Sequence, residues 1–532
     1  DNNSNIISTG TVHGGYGIYV KNSLTRADSV INLNTGSNID VSSGESGIGV
    51  YVTDSTLNIN DGTITVGKNG IGVYASNSTG TISGGTLNLN GDNAVGYYLT
   101  NGSSFDNTGG SISVNGQNVT LVVTDAGSSL ATTNPFTITS TPGSTYVFGN
   151  MIGGNYYNST SATLGSNGSL VNGLNSIVLF GAGSSVTSTG NNVSGMVLSG
   201  QYASKPFFFA GEGYTAAEEG TNLGIISLAD SSAGMYLTGG ASGRNEGTIS
   251  LGKESVGIYA SGTGSYAVNN NGTINIGEGS TGLFLSNGIS AENLGTAEIN
   301  GIGNNTVGIY SENTTASTVQ ITNDNKIDLA GEHSIGIYTT GVHNISNTGN
   351  INVGNSSNPD LPGVGIYQDN IAGSISNTGN INVGTNSIGI YNIDGTVTNS
   401  GSVTAGDGGT GIYTNGGILN LNSGSSITVG GNNAIAVYAL NQTGTVTNNS
   451  AVTIGDTSYG FVFSGSTAPV FVNNQAAVTG NDSIFTFADS ALDVTNNAPI
   501  TMTGSNNIGY YLKNGGSVVN NADITGNTGT SN

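Results

Sequence analysis

The ten residues ISNTGNINVG run from Ile345 to Gly354, and the same ten run again from Ile375 to Gly384. Around them an Asn-x-Gly-x-Ile-x-Val-Gly marker recurs: NEGTISLG from Asn245, NNGTINIG from Asn270 and NSGSVTAG from Asn399, with degenerate copies from Asn448, Asn473, Asn496 and Asn520. A second marker, Ile/Val-Gly-Ile/Val-Tyr, keeps phase with the first. It ends at Tyr51, Tyr74, Tyr259, Tyr310, Tyr338, Tyr367 and Tyr391, with looser forms ending at Tyr98, Phe284, Tyr438 and Tyr511. Two markers in fixed phase at about 24 residues define a repeat architecture of about twenty units.

Each unit holds three short strand signals separated by Asn, Gly, Thr and Ser. Before Tyr391 they are Ser374-Ile-Ser, Asn380-Ile-Asn-Val and Ile388-Gly-Ile-Tyr. Alternation has period two, with Ile381 and Val383 on one side and Asn380 and Asn382 on the other. No segment has helical periodicity, which excludes leucine-rich and helical repeats, and a propeller blade needs about 40 residues and four strands. Three strands per unit of about 24 residues give an all-β parallel β-helix whose coils stack at roughly 4.8 Å, about 95 Å in all. The decapeptide is copied because each coil templates the next. A corner Asn is expected to bond its amide to the Asn of adjacent coils, with the neighbouring Gly supplying a positive φ. Strict alternation puts Ile388 and Ile390 in the core and Gly389 with Tyr391 outside. Left outside, such a row of aromatics would be an apolar stripe of the kind that marks interaction surfaces; the expectation is instead a bend at Tyr that turns each ring into the core or under the next loop.

The markers divide the solenoid into regular coils over 1–123, irregular coils with insertions over 124–244, and regular coils over 245–532. The irregular stretch contains Asn155-Tyr-Tyr-Asn and SKPFFFAGEGYTAAEEG, Ser204 to Gly220. Three consecutive Phe cannot all face one core. Phe207, Phe208, Phe209 and Tyr214, with Tyr156 and Tyr157, are therefore the candidate ligand-binding anchors, against the alternative of a loop folded back over an irregular coil. NSSNPDLPG, from Asn355 to Gly363, lengthens one coil, and Lys21–Gly47 lengthens another.

Composition limits function. The 532 residues include 89 Gly, no Cys and no Trp, and 7% are charged against about 25% in ordinary domains. The net charge of −23, with eight scattered Lys or Arg, offers no basic patch for nucleic acid or anionic lipid. Without Cys there are no disulfides and no Cys-ligated zinc, as suits an exported chain. No apolar run approaches the roughly 20 residues of a membrane helix. The chain starts at Asp1 without Met, and both ends read as interior sequence, so a fragment of something longer is expected.

Catalytic signals are missing. His13, His333 and His343 have no metal-ligand or nucleophile spacing, and the last two read as solvated side chains. No metal site and no cofactor is expected. Polysaccharide cleavage is the enzymatic alternative, since glycoside hydrolysis needs two facing carboxylates. Glu218, Glu219, Asp324 and Asp328 are available, but the two arginines, Arg26 and Arg244, sit in different units. The expectation is a protein that is not an enzyme.

Repeats of the SIGIYN and NTGNINVG kind, low in charge and free of Cys, resemble the passenger domains of large fusobacterial type Va autotransporter adhesins, over essentially the whole chain. The resemblance implies a right-handed β-helix on the bacterial cell surface, carried beyond the outer membrane and anchored by a C-terminal β-barrel translocator. It implies attachment to host cells through galactose-type glycans or protein receptors, including inhibitory receptors on lymphocytes, and coaggregation with other bacteria. The shared motifs are structural repeats, so they transfer no ligand-binding residue. A spacer segment, with the ligand site elsewhere in the passenger, fits the same motifs.

Overall fold

The computed structural model describes residues 5–7, 14–22, 29–132, 136–141, 143–159, 161–262, 267–315, 317–370 and 372–526, and no described residue is helical. His13 and Arg26 lie outside them. The chain divides into two compact units, Asp1–Gly252 with Val256–Ala260, and Lys253–Ser255 with Ser261–Asn532. Each is a parallel β-solenoid; together they make about 19 turns, consistent with the right-handed winding that parallel crossovers take.

One coil of the second unit shows the plan. Ile388–Ile393 is a six-residue strand, Thr396–Asn399 and Ser402–Ala405 are four-residue strands, and all three pair in parallel, in register, with the coils on either side. We call the three faces the tyrosine, asparagine and third sheets. The core is made of like residues stacked on like. Ile351, Ile381, Val403 and Ile427 form one column, all fully buried. Each such side chain contributes about 1.5–3 kcal/mol by leaving water.

The asparagine column forms as its repeat predicts. Asn270, Asn293, Asn323, Asn347, Asn377 and Asn399 are fully buried, and each Nδ2 donates to Oδ1 of the next at 2.7–2.8 Å. Leu421 interrupts the column, which resumes from Asn448 through Asn473 and Asn496 to Asn520. The role expected for the adjacent glycine differs. Gly349, Gly379 and Gly401 keep ordinary φ; they are glycine because a Cβ would strike the backbone carbonyl of the coil before. Many left-handed positions belong instead to Asn, as at Asn305, Asn386 and Asn433, the side chain that tolerates that region best after glycine.

The tyrosine strand corrects the strict alternation. Ile388 is only half-buried, Gly389 and Ile390 are both buried, and Tyr391 is half-exposed. The register skips the glycine, so Ile388 and Tyr391 both face outward. The kink is at Gly, not at Tyr. The fit there is close: a Cβ on Gly282 would lie 2.6 Å from the Gly308 carbonyl oxygen and 2.6 Å from Ile299 Cγ2.

Regularity lapses in the first unit. The tyrosine sheet runs on through Val119–Thr124, Tyr146–Ile152 and Ser169–Leu174. The asparagine sheet ends at Ser129–Thr132 and a new one begins at Asn155–Asn158; the third sheet ends at Thr137–Ser140 and restarts at Ser161–Leu164. Phe207–Phe209 and Tyr214–Ala216 form an antiparallel hairpin outside the coil plan.

Candidate functional site

Two surface features stand out from the scaffold. The first is the aromatic column. In the second unit Phe284, Tyr310, Tyr338, Tyr367, Tyr391, Tyr413 and Tyr438 stack with ring centroids 4.5–5.4 Å apart and planes within 21°. In the first unit Tyr19, Tyr51, Tyr74 and Tyr98 do the same at 4.8–5.5 Å, and Tyr236 stacks on Tyr259 at 4.5 Å. The expectation that each ring turns into the core or under a loop is thus overturned. In-register parallel pairing puts each ring over the next, and the rings cover one another. Burial pushes the phenols of Tyr367 and Tyr413 up to about 12; the Asp369 carboxylate adds to it at Tyr367 and neighbouring rings at both. Ring faces are therefore occupied by other rings, and the column shows its edges to solvent.

The second feature is the hairpin, and it follows from the strand beneath. Ile177-Val-Leu-Phe180 is apolar throughout and buried at all four positions. Val178 and Phe180 face the core, which leaves Ile177 and Leu179 on the outside in need of cover. Phe209 and Ala216 supply it, with Tyr157, Tyr202, Phe207, Tyr214 and Leu223 around them.

Polar contacts fix this cover. Glu219 is fully buried and accepts from Lys205 Nζ at 2.7 Å, Ser242 N at 2.8 Å, Ser242 Oγ at 2.6 Å and Tyr202 N at 3.0 Å. Burial would raise its pKa, but these four donors outweigh it and hold the carboxyl below the ordinary value. Glu212, in the hairpin turn, accepts from Tyr157 Oη at 2.5 Å and from Ala182 N at 2.9 Å. Tyr214 Oη donates to Glu246 at 3.3 Å, and Glu246 also holds Arg244 Nε at 2.5 Å. Arg244 approaches Glu218 at 4.0 Å.

The six sequence-predicted anchors thus separate. Tyr156 points into the core, 3% exposed, where burial raises its phenol well above the usual range. Phe209 is 4% exposed, while Phe207, Tyr157 and Tyr214 are half-covered. Phe208 alone presents a largely free ring, at 58% exposure. Sequence reasoning missed the Glu219 clamp and the covered strand; the unbroken apolar run Ile177–Phe180 was the available signal.

The histidines also differ from expectation. His343 is fully buried, its Nε2 2.8 Å from Ser311 Oγ and its Nδ1 3.1 Å from the Gly341 carbonyl, and burial lowers its pKa. His333 Nδ1 lies 2.5 Å from the Leu361 carbonyl and helps seat the Asn355–Gly363 insertion. Among the described residues no group of three or more His, Cys, Asp or Glu side chains is placed to hold a metal ion, and no helix is long and apolar enough to cross a membrane.

No family model, curated protein or solved structure matches the chain. Fold and surface together define the class: a parallel β-solenoid with outward aromatic columns and one clamped hairpin.

Proposed function

We propose that this chain is a non-enzymatic segment of a bacterial cell-surface adhesin of the autotransporter kind. It acts outside the cell, held through the outer membrane by a C-terminal translocator barrel. It attaches to host cells, through galactose-type glycans or a protein receptor such as an inhibitory receptor on lymphocytes, and to other bacteria. The observation that carries the reading is the hairpin. A self-templating scaffold departs from its plan in an aromatic hairpin, and a buried carboxylate with four donors holds that departure in place. A loop meant only to fill space needs no such fixation, whereas a contact surface gains affinity from being ordered before binding.

The test is binding of the purified chain to a glycan array and to intact host cells, with and without free galactose-type sugar. Binding blocked by sugar supports a glycan ligand. Binding that sugar leaves intact supports a protein receptor, and absence of all binding defeats the reading. A second reading, a spacer within a longer adhesin, is favoured by one observation: most of the hairpin aromatics are spent covering Ile177 and Leu179. Deleting Ser204–Gly220 separates the two, because a spacer keeps whatever binding it has.

A further inference from the structure

The aromatic columns have a chemistry that attachment does not use. In the second unit six consecutive rungs, Tyr310 to Tyr438, are tyrosines stacked nearly parallel at 4.5–5.4 Å. In-register pairing sets Tyr367 opposite Tyr338 on one side and Tyr391 on the other, so the ring carbon ortho to one hydroxyl lies near the equivalent carbon of the next. The rings are half-exposed, and with their faces occupied by neighbours their edges are what solvent reaches. Tyrosines outside the columns lack this arrangement. Tyr156 and Tyr510 have buried hydroxyls. Tyr157 donates to Glu212 and its nearest ring is Phe209, tilted by 39° at 6.2 Å.

We propose that the tyrosine columns are sites of oxidative cross-linking, where a peroxidase with hydrogen peroxide joins rungs of adjacent coils as dityrosine. Each of two neighbouring phenols gives up one electron and its hydroxyl proton, leaving two phenoxyl radicals. The radicals form one carbon–carbon bond between ortho positions. The hydrogen on each bonded carbon leaves as a proton, and each oxygen regains one, which restores both aromatic rings. In total two electrons and two protons leave the pair, and one hydrogen peroxide takes them up to give two waters. The rings stand half-exposed on the outer face of their strands, so two of them can tilt together while the strands stay paired. Each bond then ties one coil to the next.

The test treats the full chain, at low concentration, with horseradish peroxidase and hydrogen peroxide, then reads dityrosine fluorescence, gel mobility and cross-linked peptides by mass spectrometry. The expected result is a chain that still migrates as one molecule and, in the second unit, links among 310–338, 338–367, 367–391, 391–413 and 413–438 and none to Phe284. Tyr338→Phe keeps the stack but removes one phenol, so it should delete the first two of those links and leave the other three. Tyrosine oxidation without dityrosine, links only between different molecules, or a link pattern unchanged by Tyr338→Phe would each overturn the proposal.

Discussion

The coils from Phe284 to Tyr438 and those from Val119 to Ser199 use one strand plan in opposite ways. In the first set the inward position after the leading residue is Gly or Ala, as at Gly308, Gly336 and Ala436, and the ring stands outside. In the second set that inward position becomes Leu121, Phe148 and Leu170 before returning to Gly195, while the outward column reads Val123, Asn150, Asn172 and Val197. The aromatic mass has moved inside. Tyr97, Phe136, Phe148 and Tyr156 meet there at 5.6–6.2 Å, tilted by 31–56° rather than stacked. Stacked rings need an aromatic at the matching position of an adjacent coil, so they occur where the repeat is faithful. Tilted rings fill an irregular core, and two of the three sheets are interrupted beside them. Self-similarity thus decides which side of the wall the aromatics occupy.

The sharpest way to break this comparison is to unclamp the irregular side. Glu219→Ala should cost about 3 kcal/mol, since it strands Lys205 and the Ser242 and Tyr202 donors. Limited proteolysis should then cut within Ser204–Gly220 while the coils of the second unit stay resistant. The intact clamp should also respond to acid. A carboxyl whose folded pKa is depressed contributes stability that is present above its unfolded pKa, about 4.3, and is lost as pH falls through the folded value. The same segment should therefore become cleavable by an acid-active protease below that range, and unchanged cleavage would count against the clamp.

On the regular side, Asn347→Ala removes two buried amide bonds and should cost about 2–3 kcal/mol. Because neighbouring repeats unfold locally, the loss should show as faster hydrogen exchange in the flanking coils rather than as one shifted melting point. Asn347→Leu, copying the natural Leu421, should cost less. Tyr391→Ala removes two ring contacts and should cost about 1–3 kcal/mol by the same readout, whereas Tyr391→Phe should be nearly neutral. The smallest effect sharpens the boundary. Val123→Tyr places a ring over Tyr98 and should add about 0.5–1 kcal/mol; a destabilised variant would mean that the irregular coil cannot accept an outside rung.

The coil, its three strands and the amide column were legible in the sequence because each depends on one residue type recurring at one spacing. Asn347 and Asn377 declare themselves by position alone. The outward turn of Ile388 was not legible. It depends on a kink that the glycine permits but period-two alternation does not anticipate. The tyrosines were misplaced for a related reason: a single exposed ring is costly, but a ring covered above and below by copies of itself is not, and pairing between coils is invisible within one coil. In the irregular stretch the aromatics were noticed and their division of labour was not. Whether Phe208 or Phe209 faces out depends on the strand they cover, about thirty residues earlier in the chain.

The amides of the second unit also have a direction. From Asn270 to Asn399 every one donates toward the higher-numbered coil, as do those from Asn448 to Asn520, with Leu421 between. Under tension along the stacking direction these bonds bear load in series, so the weakest junction yields first instead of sharing force with the rest. Coils should peel singly, each releasing roughly 80 Å of slack from about 24 residues. The two junctions at Leu421, where the asparagine column is broken, should rupture at the lowest force and act as a mechanical fuse for that unit.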